Sequence, residues 1–275
     1  MTVMKTVTLN NSVKMPVLGL GVYQIPPGRT TQAVVLTALK LGYRLIDTAA
    51  FYGNEEDVGK AIKQSRIPRK EIFVTSKLHP LRCFGIEAAF SRSLKRLNVD
   101  YLDLYLIHCP FFRKKAVWKV LGKMYRRGAI RAIGVSNYGI KDLQELMTAS
   151  NLIPTVNQVE FHPFLYNRNT QTLMEFCKAK KIILEAHSPL THGKRLSEET
   201  IAKMAKKYHR STAQILLRWS LQHGTVVIPK AQSPEHLRQN LDVFNFTITD
   251  KDMIRIDSLD EHYHAAFLSR FLREE

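Results

Sequence analysis

Short apolar runs alternate with amphipathic stretches along almost the whole chain. The runs at 43–47, 72–77, 101–108, 129–134, 155–160, 182–187 and 226–230 are close to continuous in hydrophobic residues, which is how parallel strands buried on both faces read. Between them, residues 31–41, 55–64, 85–97, 116–127, 141–148, 170–180, 211–222 and 235–241 place apolar side chains at helical spacing. A first buried strand at 16–20 completes a set of eight. The pattern predicts an α/β fold, a (β/α)8 TIM barrel with its helices outside. Ahead of it, residues 7–15 alternate apolar and polar positions around Asn10-Asn11-Ser12, the signature of an N-terminal β-hairpin. Two further helical segments, 197–208 and 250–259, exceed the alternation and are expected to pack outside the barrel. No linker or low-complexity tract interrupts the pattern, so residues 1–275 are expected to form one domain.

Three of the predicted strands end in an ionisable side chain. Asp47, Lys77 and His108 lie 30 and 31 residues apart, close to the ~30 residues of one strand-helix-strand unit. A charge at the last position of a buried strand must sit where the strand leaves the core. In a barrel that carboxyl-end rim is where active sites are built. Five residues past Asp47, Tyr52 lies in a loop that would cover the barrel mouth. A phenol with a pKa of ~10 is a poor acid at neutral pH, and a nearby ammonium improves it by stabilising the phenolate. Lys77 is the candidate ammonium, Asp47 would hold it charged, and His108 would hydrogen-bond a substrate oxygen or join a proton relay. Singly, each residue has a plainer reading: an Asp after a strand caps a helix or forms a turn, a loop Tyr packs, and His108-Cys109-Pro110 ends a strand. Delivery of all four to one rim is what points to catalysis.

Composition adds boundaries. The chain is 45% hydrophobic and 24% charged, ordinary for a soluble globular protein. It has no apolar stretch near the ~18 residues of a membrane helix, and residues 1–6 lack the apolar core of a signal peptide. A cytoplasmic protein with no membrane partner is expected. Cys83, Cys109 and Cys177 are widely spaced without a Cys-x-x-Cys pair and read as reduced, outside any disulfide or zinc site. Cys109 reads as a small pocket-lining residue, and His262 and His264 are not expected to bind metal. The net charge of +17 is scattered. Lys115, Lys119, Lys123 and Arg127 line one face of a predicted helix. Such a stripe could meet RNA or an acidic surface; a solvated face accounts for it, and no nucleic-acid partner is expected.

Longer motifs refine this. Leu18-Gly19-Leu20-Gly21, Gly42-Tyr43-Arg44-Leu45-Ile46-Asp47-Thr48-Ala49, Tyr52-Gly53-Asn54-Glu55, Val74-Thr75-Ser76-Lys77 and Asp103-Leu104-Tyr105-Leu106-Ile107-His108 occur in that order. They are followed by Ile133-Gly134-Val135-Ser136-Asn137, Asn157-Gln158-Val159-Glu160 and Val227-Ile228-Pro229-Lys230. Together they resemble the aldo-keto reductase family over nearly the whole chain. The resemblance implies a barrel that uses NADPH/NADP+, with NADH possible, without a Rossmann fold; no helix opens directly after Gly19-x-Gly21, so it is no phosphate loop. It also implies reduction of aldehydes and ketones to alcohols by hydride transfer, with Tyr52 as general acid, Lys77 and Asp47 tuning it, and His108 orienting the carbonyl. Ser136, Asn137 and Gln158 would hold the nicotinamide carboxamide, and Ser188 and Leu190 would flank the cofactor. Lys230, Ser233, His236, Gln239 and Asn240 would meet its adenosine end, near the amino end of 234–241, a favourable place for phosphate.

The chain departs from the family pattern in ways that matter. His187 stands where an aromatic residue, often Tyr, stacks on the nicotinamide; protonated, it would oppose the oxidised ring. His236 replaces the usual arginine, with Arg238 two residues on, and Gln239 replaces a frequent Glu, so one charge-assisted contact is lost and preference over NADH weakens. The tryptophans often found after the catalytic Lys and His are absent from Lys77-Leu78-His79 and His108-Cys109-Pro110. With a short loop after His108, the chain resembles the compact microbial and protist glyoxal, diketo-gluconate and prostaglandin F synthase-type reductases. That implies an open, fairly polar pocket lined by Tyr23, His79, His108, Phe111 and Phe112, on a monomer acting on a small carbonyl substrate. Three other readings compete: a catalytically weak cofactor-binding protein with a regulatory or structural role, a barrel aldolase with Lys77 as a Schiff-base lysine, and a nucleic-acid binder.

Overall fold

Strands β3 (Leu20–Gly21), β4 (Leu45–Asp47), β5 (Phe73–Leu78), β6 (Leu104–Ile107), β7 (Ile133–Ser136), β8 (Val156–Glu160), β9 (Ile183–His187) and β10 (Val226–Val227) pair in sequence order, all parallel. The computed structural model describes residues 5–79 and 85–266; Cys83 lies outside them. The two ends of the sheet meet through a parallel bridge between Leu18 and Val227, with backbone bonds of 2.9 Å from Gly19 N to Val227 O and from Val227 N to Val17 O. The sheet therefore closes into the barrel that the alternation predicts. At the seam Gly19 and Gly21 are required by close approach: a Cβ would lie 2.4 Å from Leu45 Cγ at the first and 2.6 Å from Ile228 O at the second.

Helices α1 (Arg29–Leu41), α2 (Glu55–Ser65), α3 (Ile86–Leu97), α4 (Lys114–Arg126), α5 (Ile140–Ser150), α6 (Arg168–Ala179), α8 (Thr212–Gln222) and α9 (Pro234–Leu241) ring it. The two surplus segments become α7 (Glu199–Tyr208) and α10 (Asp250–Asp257). Their boundaries follow local chemistry. Ser211 and Gln214 close a reciprocal capping box on α8, Ser233 caps α9 with Pro234 at its first position, and α1 stops at Gly42 with φ 111°. The basic stripe lies on the exposed face of α4 and just beyond it, where Lys115 pairs with Glu145 at 3.3 Å and Arg127 with Glu87 at 3.6 Å.

Two strand expectations are corrected. Residues 16–20 are not one strand: Pro16 ends β2 (Lys14–Pro16), which pairs with β1 (Thr6–Thr8) through Thr6, and the barrel strand begins only at Leu20. The strand read at 129–134 runs from Ile133 to Ser136, because Arg131 turns to Asp103 at 2.7 Å and leaves only an isolated Leu102–Ile130 bridge before it.

Side chains alternate faces along each strand. Leu45, Phe73, Leu104, Leu106, Ala132, Val156, Val226 and Ile228 form one cluster inside the barrel, and the hairpin contributes Leu9 and Met15 to it. The hairpin thus plugs the amino end. Residues of opposite parity, such as Ile46, Val74, Tyr105, Ile107, Val135 and Val159, join the larger core beneath the helices. Continuing the inward parity toward the carboxyl ends leads to Asp47, Lys77, His108, Ser136, Gln158 and His187.

Candidate active site

Lys77 is fully buried and spends all three ammonium donors. It donates to Asp47 Oδ1 at 2.6 Å, to Thr48 O at 3.0 Å and to the Tyr52 hydroxyl at 3.2 Å. Tyr52 reaches it from a single 3-10 turn, Ala50–Tyr52, reversed by Gly53 at φ 71°. The loop is pinned from below: buried Asn54 accepts from the Thr48 hydroxyl at 2.9 Å and donates to Val22 O at 3.0 Å. Burial works to neutralise the lysine, but Asp47 and Tyr52 overcome it and hold Lys77 above the ordinary lysine range. A Schiff-base lysine must lose its proton to attack. The charge and full occupancy of Lys77 remove the aldolase reading.

Burial pushes Tyr52 up to about 12, with Lys77 pulling the other way. The phenol keeps its proton at neutral pH, as an acid must. Because its oxygen already accepts from Lys77, the O–H is left for a partner at the mouth. His108 is buried, and burial with the Lys77 charge holds it well below the ordinary histidine value. It is a neutral imidazole, edge-on to Tyr52 at 5.6 Å between ring centroids, with Nδ1 unpartnered among the described residues. A phenol proton and a neutral imidazole, backed by a fixed cation, form a pocket for an oxygen that gains negative charge.

The opposite side of the mouth is a polar chain with assignable directions. Asn137, in the left-handed region at φ 60°, donates from Nδ2 to Ser136 Oγ at 3.1 Å and to His108 O at 3.3 Å. Its Oδ1 must then accept from His187 Nε2, at 2.9 Å. That leaves His187 Nδ1 to accept from Ser188 Oγ at 3.2 Å, and Ser188 Oγ to accept from His192 Nε2 at 3.1 Å. Burial pushes His187 down to about 4, so the ring is neutral at pH 7 and the expected opposition to a cationic partner does not arise. Below, Gln158 Nε2 donates both to Asp47 Oδ2 at 2.8 Å and to Glu185 Oε2 at 2.7 Å.

The remaining expected residues separate. Tyr23, 41% exposed, lies tilted against Tyr52 with 4.9 Å between ring centroids. His79 stands beside Phe51 at 5.2 Å, and Phe111 packs on the core. Phe112 is 87% exposed; Phe51, 55% exposed, lies at the rim against His79 and His108. Lys230 and His236 are exposed and Leu190 half-buried, while the Ser233 hydroxyl accepts from His236 N at 3.1 Å as the α9 cap. Gln239 donates to Glu235 at 3.1 Å. Asn240 is buried and not open at the surface, on α9 where the Tyr43 hydroxyl donates to Leu237 O at 3.0 Å. Cys109 and Cys177 are unpaired, and burial raises them to about 11 and 12, which makes both thiols inert. No group able to hold a metal ion occurs among the described residues, and His264 faces Glu160. Sequence reading missed Glu185, His192, Thr48 and Phe51. Glu185 carried a signal, since a carboxylate inside an apolar run needs a reason to be there.

Comparison with known proteins agrees with the geometry. Residues 17–261 match the sequence profile of the aldo/keto reductase family. A glyoxal reductase of Bacillus subtilis is 47% identical over 260 residues, covering 93% of this chain and 93% of that protein. A 9,11-endoperoxide prostaglandin H2 reductase of Trypanosoma cruzi is 44% identical over 263 residues, covering 93% and 91%. A point variant of Gox0644, solved as a crystal structure in complex with NADPH, superposes with a TM-score of 0.87 at 38% identity, covering 94% of each chain.

Proposed function

The chain belongs to the aldo/keto reductase family, and from that premise we propose that it reduces small aldehydes and dicarbonyls to alcohols with NADPH, Tyr52 acting as the general acid. The observation that carries the reading is the arrangement of Lys77, whose three donors fix Asp47, Thr48 and Tyr52 and leave the Tyr52 proton for the mouth. NADPH, when bound, supplies the hydride that reaches the carbonyl carbon. Tyr52 gives its proton to the carbonyl oxygen, Lys77 stabilises the phenolate left behind, and solvent restores the proton. Neutral His108 hydrogen-bonds the same oxygen and orients the carbonyl. Holding the reactants aligned supplies much of the acceleration.

The residues present fit such a cofactor. Gln158 has spent both N–H donors on carboxyls, so its Oε1 remains to accept from a carboxamide. Ser136 and Asn137 stand beside it, with neutral His187 as the ring platform. Lys230 and Arg238 are the exposed cations for the adenosine-end phosphate, with Ser233 and His236 at the start of α9. Tyr23, Phe51 and His79 frame an open entrance, which favours small, polar carbonyl compounds. Every catalytic group comes from one barrel, so the reaction needs no partner subunit.

The test is titration of purified protein with NADPH and NADH, followed by turnover of methylglyoxal and an aromatic aldehyde, with Tyr52→Phe in parallel. Turnover lost in the variant while NADPH still binds supports Tyr52 as acid. Binding without turnover on any aldehyde favours the non-catalytic reading, and no binding of either nucleotide removes the proposal.

A further inference from the structure

One carboxyl inside the barrel has no part in this scheme. Glu185 stands on β9 between Ile183 and His187, is 0% exposed, and lies in register with Gln158 on β8. Its Oε2 accepts from Gln158 Nε2 at 2.7 Å, its Oε1 has no partner, and it makes no ion pair among the described residues. Val226 is its register neighbour on β10, Asp47 faces it through Gln158, and Lys77 is the nearby cation, already committed to Asp47. An ionised carboxylate in such a place is expensive. Burial, with the Asp47 charge adding to it, raises Glu185 to about 8.

The consequence lies in Gln158. A side-chain amide with one acceptor can turn over, exchanging its oxygen and nitrogen. Here two carboxyls on different strands each take one N–H, at 2.8 and 2.7 Å, and turning over would break both bonds. We propose that Glu185 is a positioning residue for the cofactor: together with Asp47 it clamps the Gln158 amide so that Oε1 is presented to the nicotinamide carboxamide as an acceptor. The proposal rests on the reductase reading above, in which Gln158 meets that carboxamide. It also ties the clamp to protonation. When Glu185 loses its proton, a second negative charge stands beside Asp47, with only the Gln158 amide between the two carboxylates. Tyr52 and His108 titrate far from neutrality in opposite directions, so a change in turnover between about pH 7 and 9 is read as titration of the Asp47–Glu185 pair that Gln158 bridges.

The experiment measures NADPH dissociation constants by fluorescence and turnover of methylglyoxal from pH 6 to 9, for the native protein, Glu185→Leu, Glu185→Gln and Tyr52→Phe. The acetylpyridine analogue of NADPH, which lacks the carboxamide N–H donors, is run beside it. Glu185→Leu is expected to weaken NADPH about tenfold, the loss of one hydrogen bond, and to leave the analogue unchanged. Glu185→Gln keeps an acceptor oxygen for Gln158, so it restores NADPH affinity while abolishing the pH dependence between 7 and 9. Equal loss for NADPH and the analogue, or an unchanged pH profile in Glu185→Gln, overturns the proposal. So does unaltered NADPH affinity in a folded Glu185→Leu. Failure of the native protein to bind NADPH removes the reductase reading itself, a result distinct from any difference among Glu185 variants.

Discussion

Replacing Lys77 by Met tests whether the buried ion pair is held by its own attraction. The two side chains are 0% and 3% exposed and 2.6 Å apart. Met matches the length of the lysine stem, so little cavity or overpacking is introduced. What is lost is the cation. Asp47 would keep only Gln158 as a donor, at 2.8 Å, and the Tyr52 hydroxyl would lose its own. Removing one partner of a buried pair costs about 3–5 kcal/mol, because the remaining charge is buried without compensation. At this chain length that corresponds to a fall in Tm of roughly 10 °C. Asp47→Asn alone strands the ammonium and should cost a similar amount. The double variant Asp47→Asn/Lys77→Met carries no buried charge and should recover most of the loss. Urea unfolding of all four proteins at pH 7 closes the cycle, and recovery in the double variant requires a coupling of about 5 kcal/mol or more, larger than the cost of either single change. Additive losses within about 0.5 kcal/mol would refute the reasoning. Turnover should be lost in every variant that lacks Lys77, since Lys77 is the group pulling the Tyr52 phenol down against burial.

Other outcomes follow from the same geometry. Glu185 binds its proton more tightly folded than unfolded, about 8 against 4.5, so native protein holds the extra proton between those values and stability falls as pH rises through that window. The advantage of Glu185→Gln over the native protein in urea should therefore grow by roughly 3 kcal/mol from pH 5 to pH 8, and a constant difference would mean the carboxyl is ionised throughout. His236→Arg returns a charge-assisted phosphate contact at the start of α9, and the ratio of NADPH to NADH affinity should rise about tenfold. An unchanged ratio would place the phosphate elsewhere.

The barrel and its four candidate catalytic side chains were legible because buried strands leave so little freedom. A run such as Leu104-Tyr105-Leu106-Ile107 must be interior, and the first polar residue after it, His108, must be at an end. The structure brings Asp47, Tyr52, Lys77 and His108 together as the spacing implied. Glu185 escaped notice because it stands in mid-run, between Leu184 and Ala186, and the run was read as simply apolar. Parity would have exposed it: it shares the inward face with Ile183 and His187, one layer below the rim. Phe112 and Phe51 show the opposite limit. Neither lies in a stretch long enough for a period to operate: Phe51 sits in the Ala50–Tyr52 turn that Gly53 reverses, and Phe112 is left 87% exposed. Asn240 likewise could be aligned but not placed, since its burial depends on how α9 docks on the barrel, where Tyr43 bonds to Leu237 across 194 residues.

The β1–β2 hairpin sets a direction for anyone wishing to fix this protein to a surface. Leu9 and Met15 seal the barrel floor against Phe73, Leu104 and Val156, so a tether joined ahead of Thr6 leaves from the face opposite the catalytic mouth. Molecules attached to a bead or electrode that way would stand with the entrance framed by Tyr23 and Phe51 toward the bulk liquid. Substrate and cofactor would then reach the immobilised catalyst without passing beneath it.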